Sequence, residues 1–181
     1  MEIIETPLSG LMLLEPTIFQ DQRGYFYELF QEDRYHKLGL PPFVQTNVSH
    51  SKQNVLRGLH YQKPHAQGKL VCVIKGSVWD LVLDIRKQSS TFGQWFSITL
   101  SDNDHKQMYI PPGFAHGFCV LSKEAVFYYQ CTEFYNSECE YGIAWNDAEL
   151  NIPWPVKDPI LSNKDRTYPS LREVSHANLF P

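Results

Sequence analysis

The chain of 181 residues has no excess of positive charge: 16 Lys and Arg stand against 20 Asp and Glu, a net of −4 at pH 7. That argues against a basic stripe for phosphate backbones, so no nucleic acid partner is expected. No apolar run is long enough to span a bilayer as a helix, and no membrane partner is expected. The opening MEIIETPLSG has acidic residues and no basic-then-apolar leader, so a cytoplasmic location is expected. Only four cysteines occur (Cys72, Cys119, Cys131, Cys139); none forms CxxC or clusters with histidine at zinc spacing. They read as buried, reduced thiols. There is no G-x-S-x-G elbow, no P-loop and no G-x-G-x-x-G. A serine hydrolase of that type is therefore disfavoured, and any nucleotide would be held by side chains rather than by a Gly-rich helix start.

What is present is strand. Hydrophobic content of 43% and aromatic content of 14% suffice for a sizeable core, and the length suits one domain over residues 1–181. LMLLEPTIF opens the chain. QDQRGYFYELF follows, with a turn signal at Asp21–Gly24 and then an aromatic strand. QEDRYHKLGL (31–40) is the one good helical stretch, closed by Gly39 and Pro41–Pro42. KLVCVIKGSVWDLVLDIR reads as two strands, Lys69–Ile74 and Ser77–Ile85, joined by a tight turn at Lys75–Gly76. GQWFSITLS puts Phe96, Ile98 and Leu100 on one face. Short strands at regular spacing predict an all-β sandwich or barrel with few helices. The tail RTYPSLREVSHANLFP reads as a short helix or a loose end.

NVLRGLHYQ (54–62) is strand-like, yet Arg57 and His60 lie three positions apart, which alternation sends to opposite faces. Gly58 between them suggests a bulge that turns both toward one cavity. Further polar residues stand where strands should be apolar. Gln45 and Asn47 share parity. Lys69 is in phase with Val71 and Val73, and Tyr129 with Phe127 and Cys131. Singly, each is equally well a satisfied or edge residue. Together they read as the polar lining of a barrel mouth. Pro111-x-Gly113-x-x-His116 is the second-half motif of cupin barrels and jelly rolls. In metal cupins its histidine joins a His-x-His pair, but here the earlier strand reads His60-Tyr61-Gln62, so no metal is expected. On sequence alone His116 is as readily a core imidazole bonded to a backbone carbonyl.

The set suits carbon-acid chemistry. A neutral His60 accepts a carbon-bound proton, Lys69 or Arg57 faces the forming enolate oxygen, and Tyr129 returns a proton. A carboxylate behind His60 would fix its tautomer, and Asp84, Asp147, Asp158 and Asp165 are all candidates.

The segments FQDQRGYFYELF, FVQTNVSHSKQNVLRGLHYQ, QGKLVCVIKGSVWDLVLDIR, STFGQWFSITLS, YIPPGFAHGF, Tyr129–Thr132, EYGIAWND and ILSNKD run from about Leu14 to Asp165. In them the chain resembles the dTDP-4-dehydrorhamnose 3,5-epimerases. The resemblance implies a cupin-like jelly roll, metal-free and without cofactor, usually a homodimer. It implies inversion at C3 and C5 of a dTDP-linked 4-keto-6-deoxyhexose. By resemblance His60 is the base, Asp165 orients it, Tyr129 is the acid and Lys69 steadies the enolate. Phe19, Arg23, Glu28, Gln45, Asn47, Arg57, His116, Tyr135, Glu140 and Lys164 fall on substrate-binding positions. Arg23 and Arg57 suit diphosphate and sugar, while Phe19 and Tyr135 suit stacking on thymine or plain packing. The chain departs from the family at Gln130, where relatives often carry Lys, and in an extra loop histidine, His65. A single-centre epimerase and a silent sugar-nucleotide binder are the rival readings.

Overall fold

The computed structural model describes residues 1–181. Two antiparallel sheets face each other. The first runs β1 (Glu2–Glu5), β2 (Met12–Glu15), β10 (Gln107–Ile110), β7 (Lys69–Lys75), β12 (Glu124–Cys131) and β5 (Gln45–Lys52). The second runs β13 (Glu140–Gly142), β6 (Leu56–Gln62), β11 (Phe114–Val120), β8 (Ser77–Asp84) and β9 (Trp95–Ser101). A separate hairpin, β3 (Ile18–Asp21) and β4 (Gly24–Tyr27), turns where Arg23 Nη2 bonds Asp21 at 2.6 Å. The only α-helix, α1 (Glu32–Lys37), lies inside the segment read as helical. This is the all-β sandwich anticipated from the strand spacing, with the jelly-roll form that the resemblance implied.

Alternation explains the core. Val71, Val73, Val78, Val82, Leu100, Met108, Phe118 and Phe127 are buried between the sheets. Leu81, Leu83 and Ala115, of opposite parity, join a second cluster with Val174 and Leu179. The second sheet is thus covered on both faces, and β8 reads as a nearly continuous apolar run. The cover is the C-terminal segment, which is packed rather than loose. Phe180 N–H bonds the Ile85 carbonyl at 3.3 Å, and Lys63 Nζ bonds the Ala177 carbonyl at 2.8 Å.

One expectation is corrected. Lys75–Gly76 does not close a hairpin, because β7 and β8 belong to different sheets. Gly76 is a corner, with φ +82°, where an added Cβ would stand 2.2 Å from the Glu124 carbonyl oxygen. The corner requires glycine for the same reasons as a tight hairpin turn, so local sequence does not tell the two apart.

Candidate active site

Bulging at Gly58 decides the geometry of β6. His60 is paired with His116 and Arg57 with Phe118, so three steps on β6 match two on β11. The extra residue brings Arg57 and His60 to the same side, while Leu59 and Tyr61 join the outer cluster. Gly58 has φ +130°, and a Cβ there would sit 2.5 Å from Gly117 Cα. Only glycine fits this close approach of β6 to β11.

Both side chains enter a cavity of about 370 Å³ between the sheets. It is walled by Gln45, Asn47 and Ser49 of β5, Lys69 of β7, and Phe127, Tyr129 and Cys131 of β12. His116 and Phe118 of β11, Tyr61 and Gln62 at the end of β6, Gln67, Glu140 of β13, Tyr135 and the 162–165 loop complete it. His60 Nε2 bonds Asp165 Oδ1 at 2.5 Å, and Ser162 Oγ donates to Asp165 Oδ2 at 2.7 Å. Asp165 is 3% exposed. Burial pushes its carboxyl up, but the His60 and Ser162 hydrogen bonds outweigh that and hold it below its ordinary value. Burial pushes His60 down; its bond and attraction to Asp165 oppose this without reversing it. The imidazole is therefore neutral, donating from Nε2 and leaving Nδ1 as the acceptor. The edge of the Tyr168 ring, 5.7 Å between centroids, restrains its orientation.

Lys69 opens β7 opposite Cys131. Burial drives its ammonium below the ordinary lysine value, with Cys131, Glu140 and Asp80 only partly compensating. No carboxylate pairs with Lys69 or Arg57; Arg57 Nε donates only to Ser51 Oγ, at 3.1 Å. Lys164, by contrast, is committed to Glu140 at 2.6 Å. Two basic side chains without a carboxylate partner in one cleft favour an anionic ligand. The Tyr129 hydroxyl has no protein partner, and burial raises its pKa, which keeps the phenol protonated. No three His, Cys, Asp or Glu side chains converge to hold a metal ion.

Eleven of the fourteen residues singled out in the sequence line this cavity. Phe19, Arg23 and Glu28 do not. Phe19, 62% exposed, and Arg23 lie on the β3–β4 hairpin at a separate surface groove. Glu28 follows that hairpin and pairs with Arg34 at 3.2 Å. Two departures also lie away from the chemistry. Gln130 pairs across the sheet with Leu70, which belongs to a third cluster with Leu14, Leu40, Tyr109 and Tyr35 of α1, and His65 is exposed on its loop. The four cysteines are buried and unpaired.

Three participants escaped the sequence reading. Asp80 is fully buried and accepts from His116 Nε2 at 2.9 and 3.0 Å, so His116 rests on a carboxylate rather than on a backbone carbonyl. Its signal was available: an aspartate in phase with Val78 and Val82 on an inward face. Ser162 and Tyr168 lie in irregular chain, where periodicity is silent.

A family model described as dTDP-4-dehydrorhamnose 3,5-epimerase matches residues 5–173. The chain is 49% identical over 168 residues to the dTDP-4-dehydrorhamnose 3,5-epimerase of Shigella flexneri, covering 91% of this chain and 93% of the relative. It is 47% identical over 174 residues to that of Methanothermobacter thermautotrophicus, covering 94% of each. A crystal structure of dTDP-6-deoxy-D-glucose-3,5-epimerase from Legionella pneumophila Philadelphia 1, in complex with dTDP-4-keto-L-rhamnose, superposes with a TM-score of 0.96. It shares 47% identity and covers 99% of this chain and 97% of that one. Matching at this level runs through every strand that walls the cavity, and the chain belongs to the dTDP-4-dehydrorhamnose 3,5-epimerase family.

Proposed function

We propose that the chain converts dTDP-4-dehydro-6-deoxy-D-glucose to dTDP-4-dehydro-L-rhamnose by inverting C3 and C5 beside the 4-keto group. The observation that carries this reading is His60 held on the buried Asp165 in the same cleft as Lys69, which has no carboxylate partner. His60 Nδ1 takes the proton from carbon, and the electron pair moves into the carbonyl, leaving an enolate oxygen. The Lys69 ammonium stabilises that oxygen. Tyr129 then delivers a proton to the other face of the carbon. The cycle ends with an imidazolium and a phenolate, and proton exchange with solvent resets both.

The test is proton NMR of dTDP-4-keto-6-deoxyglucose with the protein in D₂O. Deuterium should enter at C3 and C5, with inversion at both. Exchange at one centre only would reassign the chain to a single-centre epimerase, and none at either would mean another sugar nucleotide as substrate or a silent binder. Tyr129→Phe should retain exchange while inversion slows. Wild-type inversion in that variant would remove Tyr129 from the acid role.

The homodimer belongs to the same proposal. Phe19, Arg23 and Glu28 fall on substrate-binding positions by resemblance, yet they stand outside the chain's own cavity. The hairpin bearing Phe19 and Arg23 also exposes Tyr25 and Phe26, an apolar patch suited to a protein surface. We read this region as the contribution of one copy to the cavity of another. Light scattering should give twice the 21.0 kDa chain mass. A mass of one chain under assay conditions would remove these three residues from the site.

A further inference from the structure

We propose that Gln62 is a positioning residue for the nucleotide end of the substrate. With Gln45 and Gln67 it holds the main chain of residues 133–136 and presents Tyr135 to the cavity as a preformed surface. The inference rests on the proposed function above.

Residues 133–136 are exposed or nearly so, and each has one main-chain group held by a glutamine amide. Gln67 Nε2 donates to the Glu133 carbonyl at 2.9 Å. Gln62 Nε2 donates to the Phe134 carbonyl at 2.9 Å. Gln45 Oε1 accepts from Tyr135 N–H at 2.8 Å, and Gln62 Oε1 accepts from Asn136 N–H at 2.9 Å. The three glutamines come from β5, the end of β6 and the loop before β7. Gln62 is 4% exposed, and its second N–H goes to the His65 carbonyl at 2.5 Å. Both of its donor hydrogens are thus engaged inside the protein, and moving the loop would strand them.

An exposed tetrapeptide ordinarily satisfies its main chain with water. This one is clamped, although it carries a tyrosine that is 52% exposed. The ring is tied at its far end as well: its hydroxyl donates to Glu140 Oε2 at 3.0 Å, and Glu140 is held by Lys164. A wet aromatic face fixed at both ends, at the lip of a cationic cleft, suits a flat heterocycle attached to a diphosphate. Fixing it beforehand removes the cost of ordering the loop when the ligand binds. Gln45 falls on a binding position by resemblance and lines the cavity; its carboxamide oxygen also accepts from Tyr135 N–H, which ties the tyrosine to that wall.

The test uses the full chain, dTDP binding by calorimetry, and steady-state kinetics. Gln62→Met removes all three bonds at nearly constant volume. The Kd for dTDP and the KM should rise about tenfold, with kcat changed by less than about threefold. A fall in kcat at unchanged KM would overturn the proposal. In a Tyr135→Ala background Gln62→Met should add no further loss of dTDP affinity, and fully additive losses would also overturn it. Should Gln62→Met not fold, Gln67→Met breaks one bond on a partly exposed side chain. A smaller rise in Kd that vanishes in the Tyr135→Ala background supports the cradle, and an unchanged Kd overturns it. Wild-type protein that fails to bind dTDP would count against the proposed function instead. Amide hydrogen exchange still reads the cradle in that case: Tyr135 and Asn136 should be protected in wild type and open in Gln62→Met.

Discussion

His60→Ala should abolish deuterium entry at both C3 and C5, a loss of at least ~10³-fold, with little change in thermal stability. The imidazole stands at the cavity wall and supports no apolar cluster, so its removal leaves the core intact. Chemically the loss is large because no other neutral base is placed to substitute. His116 is bonded to Asp80, and Glu140 is bonded to Lys164 and Tyr135. Exchange that continues within about tenfold of wild type would remove His60 from the base role. Asp165→Asn should approach the same loss by another route. Its amide N–H₂ can turn toward Nε2, and the proton then belongs on Nδ1, where the base must accept; the analogous change in a serine-protease triad costs ~10⁴-fold. The pH profile adds a check. His60 is lowered by burial, so its neutral form persists below the ordinary histidine pKa of about 6.5. The acid limb of kcat/KM should therefore fall below that value, and a limb above it would contradict the desolvated dyad.

Lys69→Met should lower kcat by about 10³-fold, the loss seen when one donor to a developing oxyanion is removed. The same substitution should raise the melting temperature. The amine is half-buried at the cavity wall with no carboxylate partner, and burial disfavours its charged form, a cost to the fold that a thioether of similar length does not carry. Val71 and Val73 continue the same face into the core, so an apolar side chain at Lys69 extends an existing surface. A more stable, inactive protein marks a group kept for chemistry at the expense of stability. If Lys69→Met is inactive and also much less stable, the lysine is structural and the enolate role is lost. Thermal melts and saturating turnover on one preparation separate the two.

The sandwich was legible because strand periodicity is strong where one face is buried: parity on β5, β7 and β12 correctly grouped Gln45 with Asn47, Lys69 with Val71, and Tyr129 with Cys131. Gly58 signalled the bulge because glycine inside a strand has few other reasons to be there. The partners of the dyads were less legible. Four aspartates were equally eligible to support His60 on periodicity, and resemblance rather than pattern singled out Asp165. Asp84 is engaged with Arg86 at 2.7 Å, and Asp147 caps the Glu149 N–H at 2.8 Å. Nothing in their local sequence separates those duties from that of Asp165. The glutamine contacts to 133–136 join side chains to a distant main chain, and such contacts leave no periodic trace. The tight turn at Gly76 was read correctly, but whether it closes a hairpin or passes between sheets was not legible, because both need a positive φ and sheet membership is decided by partners far along the chain.

That corner has a kinetic side. Each sheet is assembled from strands distant in sequence: β2 lies beside β10, β5 beside β12, and β6 between β13 and β11. His60 and Asp165 meet across 105 residues. Such non-local pairing must close long loops before any contact rewards it, which puts two-state folding of related β topologies on the scale of roughly milliseconds to seconds. The base and its carboxylate come together only when the irregular segment around Asp165, which follows the last strand, packs against β6. Recovery of turnover after dilution from denaturant would therefore time that late docking, and a chain cut before Asp165 would be silent rather than weakly active.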